Sequence, residues 1–266
     1  MIDLFIQWFR DPSVQGLLLS PLIGAVMGLA LTVMVQPADE RSSPPKTVNE
    51  TRIIFVHRIE VQRGTQDDGS WVFPIGIAAV LLLTWGYARY AEVGVAWWAT
   101  FTLTFISFNA AAGIAAAIRG EFLGTWFAYI VFPLASLFVS LWLAASAKVQ
   151  ILPGAVEAAT KHGFVNFYLN VLSPPQRHWL FTQAIGVLVG ALATLWAAAR
   201  LTHYVALSNQ RGSGRWASLW RGVAWATNRT AGWPSLMFGI FFYALSGACI
   251  HGLAYEWLMH SPRLGG

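Results

Sequence analysis

Few residues in this chain have the types and spacings that chemistry requires. Six histidines stand at His57, His162, His178, His203, His251 and His260. A protein zinc site needs ligands brought close together, most simply two histidines three to five residues apart with a carboxylate nearby. No two of these histidines have that spacing. The single cysteine, Cys249, lies inside an apolar run, so an intramolecular disulfide and a thiolate cluster are both ruled out. No serine occupies a nucleophile elbow, and the glycines of GLLLSPLIG and RGSGRW fit neither a phosphate-binding loop nor a dinucleotide fingerprint. These observations predict a protein that is not an enzyme and that carries no cofactor and no metal.

Three polar residues interrupt otherwise apolar runs and could act on a solute: Asn109, Gln183 and His251. Together they would line a polar seam, the feature expected of a channel or transporter for a neutral or lipid-like solute. Separately, each would hydrogen-bond a neighbouring helix and fix packing. The second reading is preferred, because no acid accompanies them. Thr100, Thr102, Thr104 and Ser107 distribute hydroxyls around their helix rather than along one stripe, as expected when hydroxyls bond their own helix carbonyls.

The elements that must hold these residues are membrane helices. Of 266 residues, 56% are hydrophobic and 11% charged, against about 25% charged in an average soluble domain. A bilayer core is spanned by about 20 apolar helical residues. Six candidate spans result, at residues 17–35, 71–90, 93–118, 122–147, 179–199 and 233–257. The expected fold is an all-α polytopic membrane protein with one short extramembrane β-strand at 51–63. Residues 1–15 read as an interfacial amphipathic helix with no cleavable signal. Spans one to four occupy 16–147, with the strand-bearing loop at 36–70. Residues 148–178 form an amphipathic loop ended by SPPQ. Spans five and six occupy 179–257 around a basic, Trp-rich loop at 200–232, and 258–266 form a tail. Only Ala91 and Glu92 separate the second and third spans, so a tight hairpin is expected there.

Two GxxxG motifs, Gly24 with Gly28 and Gly186 with Gly190, predict close helix contacts within the chain. Pro133 should bend its span. In the last loop, Arg215, Trp216, Trp220 and Arg221 suit the lipid headgroup layer. Nucleic acid is not an expected partner, since no dense Lys/Arg tract is present.

The stretch TRIIFVHRIEVQR alternates with period two. Ile53, Phe55, His57, Ile59 and Val61 share one face. A lone strand cannot satisfy its own ladder, so this face predicts a partner, either a second copy of the chain or a soluble protein. The distribution of Lys and Arg places this loop in the cytoplasm and both termini in the periplasm of a bacterial inner membrane. The sequons at Asn49 and Asn228 fall on that same face and are read as chance matches. The expected function is that of a non-enzymatic membrane subunit that oligomerises or docks a soluble partner through its first loop. It would serve as anchor, sensor or permeabilising component of a multi-protein system such as those of defence or secretion, an analogy of architecture alone. The alternatives are the channel or transporter above and a lipid-processing membrane enzyme.

Overall fold

The computed structural model describes residues 16, 19–33, 72–118, 126–209 and 215–260. Residues 1–15 and 36–70 lie outside these, and with them the expected interfacial helix, the strand at 51–63 and Asn49. Among the described residues every regular element is helical, and four helices are long and apolar enough to cross a membrane. The chain is therefore an all-α, multi-pass membrane protein.

Four candidate spans stand among the described residues where the sequence predicts six, and the apolar runs take a different form in two places. The first apolar run yields α1 (Ser20–Val33), shorter than the other apolar helices. The second and third runs are one helix, α2 (Val72–Ile118), bent at Tyr90 (φ −123°, ψ 19°) instead of reversing. The reason is local. A reversal needs turn residues such as Gly, Pro, Asn or Asp, whereas Ala91 and Glu92 are good helix formers. Burial also continues through the bend. Thr84, Ala88, Ala91, Val95, Trp98 and Thr102 are all buried, a spacing of three and four that keeps one face inward along the helix.

The remaining elements are α3 (Trp126–Val149), which runs through Pro133, α4 (Ala155–Lys161), and α5 (Phe164–Asn166), which passes into a π-helical turn over Phe167–Val171. They are followed by α6 (Pro174–Asn209), α7 (Arg215–Ala226), α8 (Trp233–Ile250) and α9 (Leu253–His260). The π turn stops at Val171, directly before SPPQ as expected, and SPPQ also begins α6. The Ser173 amide and hydroxyl donate to Gln176 Oε1 at 2.9 and 3.0 Å. This is the amide half of a capping box, with prolines in the first turn, where no intrahelical N–H is needed. At its other end α6 runs past Ala199 to Asn209, because LTHYVALSN contains no breaker. The sixth run stops at Ile250; Gly252 turns the chain with φ 82° and α9 follows.

Helix α6 is the axis of the bundle. Ala193, Ala197, Leu201, Val205 and Ala206 are buried against α2, α3, α7 and α8. Helices α1, α2 and α6 run in one direction and α3 and α8 in the other. Small residues set the spacing. A side chain at Gly24 would strike the Thr104 carbonyl, and one at Gly28 the Phe108 carbonyl. A β-carbon on Gly186 would lie 2.8 Å from Cys249 Cβ, and one on Gly190 would lie 2.5 Å from Trp98 Cη2 and 2.6 Å from Ser246 Oγ. Both GxxxG motifs thus lie at helix contacts within the chain. Outward positions carry large apolar side chains, among them Trp97 (71% exposed), Phe241 and Leu192, a surface that suits lipid.

Substituting Gly190 by leucine should overpack the α2–α6–α8 junction. A cost of about 1–3 kcal/mol should lower the unfolding midpoint in detergent by several degrees, and an unchanged midpoint would exclude this close approach.

Candidate functional site

The centre of the bundle is polar. Trp98 enters from α2, and its indole N–H points at two hydroxyls, Ser140 Oγ on α3 at 3.0 Å and Thr194 Oγ1 on α6 at 2.8 Å. Ser140 and Thr194 are themselves hydrogen-bonded. Thr194 donates to the Gly190 carbonyl at 2.8 Å and Thr102 to the Trp98 carbonyl at 2.8 Å, while Thr102 Oγ1 lies 3.4 Å from Ser140. On α8, Ser246 donates to the Gly186 carbonyl at 2.7 Å, and Tyr243 brings its hydroxyl beside the Ser140–Thr194 pair without a hydrogen bond to it. Each proton has an acceptor at the Trp98–Ser140–Thr194 junction, the condition under which a polar cluster holds helices together in lipid. Leu137, Leu143 and Leu201, all buried, fill the space around it.

The three residues expected to form a polar seam are not brought together. Asn109 is buried and donates to the Phe105 carbonyl of its own helix at 2.9 Å; its Oδ1 has no hydrogen-bond partner. Gln183 donates across to the Gln150 carbonyl at the end of α3. Each lies eleven residues from the Trp98–Thr194 contact, on opposite sides of it along two parallel helices. At 1.5 Å per residue that separates them by roughly 30 Å. His251 caps α8, is exposed, and packs on Trp142 with ring centroids 5.2 Å apart. The hydroxyls of Thr102 and Thr104 bond their own helix carbonyls, as expected.

Of the residues expected at the headgroup layer, Trp220 is buried against α6 beside Tyr204 and Val205, so α7 packs onto the bundle through this side chain. Arg221 is exposed; the side chains of Arg215 and Trp216 lie outside the described ones. His203, also buried, faces the Ala224 carbonyl and Thr227 Oγ1, each at 3.1 Å. At the opposite end of the bundle a second layer forms. Ala155, Ala159, Phe167 and Leu172 pack on Ala88 and Leu180, and Tyr168 donates to the Leu81 carbonyl at 2.8 Å, where burial pushes its hydroxyl pKa up.

One functional group lies where the sequence reading had placed a loop. Arg200 is 5% exposed, and neither Nε nor Nη1 has a hydrogen-bond partner among the described residues. Its guanidinium carbon stands 5.9 Å from the Tyr204 ring. The side chain lines a narrow cleft between α3, α6 and α8 together with Ser136, Trp196, Ser235 and Tyr243. The signal that could have found it is the absence of any breaker after Ala199, which carries the helix and this arginine into the bundle.

Comparison with known proteins returns no match to a family model, a curated protein or a solved structure. Among the described residues no group of three or more His, Cys, Asp or Glu side chains could hold a metal ion.

Phenylalanine at Trp98 keeps most of the ring and removes the N–H; valine at Thr194 removes an acceptor. Each change should cost about 1 kcal/mol, and the pair less than the sum. Thermal unfolding of the double-mutant cycle checks this, and strict additivity would mean that the two side chains do not interact.

Proposed function

We propose that the chain is a non-enzymatic membrane subunit that assembles with a second copy or a soluble protein through the segment preceding α2, in a bacterial inner membrane. The observation that carries this reading is the filled interior. Trp98, Leu137, Leu143, Thr194 and Leu201 occupy the axis along which a solute would have to pass, which favours function at the ends and outer faces of the bundle. With Asn109 and Gln183 far apart, a polar path through the middle has no continuous lining.

The length of α2 supports the same reading. Along its bent path, at about 1.5 Å per residue, its 47 residues measure roughly 70 Å, more than twice the hydrocarbon thickness. Its amino-terminal half carries Val80, Leu81, Leu82 and Leu83 exposed beside the layer formed by α4 and the π turn. Directly before it in sequence stands the alternating segment whose apolar face comprises Ile53, Phe55, His57, Ile59 and Val61. A strand that pairs with a neighbour at this position would be tied to the membrane by α2.

Lysine at both Phe55 and Ile59 places two charges on that face. The expected outcome is a lower particle mass in detergent with helix content unchanged, read by light scattering and circular dichroism. A wild-type particle that is monomeric and free of other protein, or a double mutant of undiminished mass, overturns the proposal.

A further inference from the structure

The Arg200 cleft poses an electrostatic problem. A buried guanidinium cannot relieve its desolvation by losing a proton, and an unpaired charge in a low-dielectric interior is strongly destabilising. Such a group is ordinarily matched by an anion. Among the described residues the carboxylates are Glu92, Glu157 and Glu256, all exposed. Glu157 lies on α4 and Glu256 on α9, at the end of the bundle where α8 finishes, and Glu92 sits next to the α2 bend, which packs against that same layer. Arg200 is near the other end, where Trp196 donates to Ser235 Oγ at 2.8 Å at the start of α8.

The hydrogen-bonding capacity of the cleft identifies what it takes. Ser136 spends its proton on the Phe132 carbonyl at 3.0 Å and Ser235 on the Thr230 carbonyl at 2.5 Å. Arg200 Nε and Nη1 remain, two buried donors without acceptors among the described residues, on a group that lines the cleft. The amino terminus of the 18-residue α8, with Ser235 in its first turn, adds positive potential from the same side. The free space is small, enough for about one water-sized group. Two donors on one fixed positive charge and room for one small sphere exclude a bulky or cationic occupant.

The geometry points to a binding site for a single monatomic anion of the chloride class, held by Arg200 between α3, α6 and α8. The ion neutralises the guanidinium and ties α6 to α8, so the bundle is most stable when the site is filled. Stabilisation then follows the halide concentration relative to the dissociation constant.

The test is thermal unfolding of the full chain in detergent, in sodium chloride, bromide and gluconate at equal ionic strength. Midpoints several degrees higher in chloride and bromide than in gluconate are expected for the wild type. R200Q should abolish the difference. Crystals soaked in bromide should give an anomalous peak beside Arg200. Equal wild-type midpoints in the three salts overturn the proposal, as does a halide dependence retained by R200Q. If R200Q does not fold, the bromide soak of the wild type decides alone, and the absence of an anomalous peak beside Arg200 is equally fatal. Stabilisation by added phosphatidylglycerol with no halide effect would assign the site to a lipid phosphate and also overturn the proposal.

Discussion

The bundle depends on one indole N–H. Trp98 places its donor where α3 and α6 each offer a hydroxyl, and in lipid no water competes for that donor. In water a hydrogen bond nets about 1 kcal/mol because the alternative is solvent; in a bilayer the value is similar, because other polar groups supply the alternative. The junction matters less for its depth in energy than for its direction. Apolar faces slide over one another with little preference, whereas a donor shared between two hydroxyls fixes the register of three helices. Gly190 is the complement of that arrangement, since only a missing side chain leaves room for the ring beside α6.

What the sequence made legible follows from which signals are local. Apolar runs and glycine pairs act within a turn or two, and Gly24, Gly28, Gly186 and Gly190 all lie at close helix contacts. Span number was not legible, because a long apolar run is consistent both with two crossings and with one extended helix. The distinction lay in turn chemistry at Ala91 and Glu92, which is poor. SPPQ was legible in part: the preceding helix does stop before it, but that the Ser173–Gln176 pair also opens α6 was not read from the sequence.

The polar centre was harder to read. Trp98 lies mid-helix, whereas tryptophan in membrane proteins favours the interface, so nothing in its position announces a buried donor. Ser140 and Thr194 are 54 residues apart, and their convergence exists only once α3 and α6 are packed. Asn109 and Gln183 were conspicuous because they are the more polar residues, yet each spends its amide N–H locally or at a helix end and leaves its side-chain oxygen without a partner among the described residues. The hydroxyls that meet at the centre are ones that any apolar helix tolerates singly.

The unbroken inward stripe of α2 constrains how this helix can move. Thr84, Ala88 and Ala91 before or at the bend and Val95, Trp98 and Thr102 after it face the same way, so the two halves share one inward face across the bend at Tyr90. Rolling the helix about its own axis would expose the whole stripe and withdraw the indole from its hydroxyls. Swinging the outer half at Tyr90 would leave the indole in place but pull Ala88 away from Phe167 and Leu180 and break the Tyr168–Leu81 hydrogen bond. The layer of α4 and the π turn therefore braces the amino-terminal half of α2 against a change of angle, as the bundle core braces it against torque.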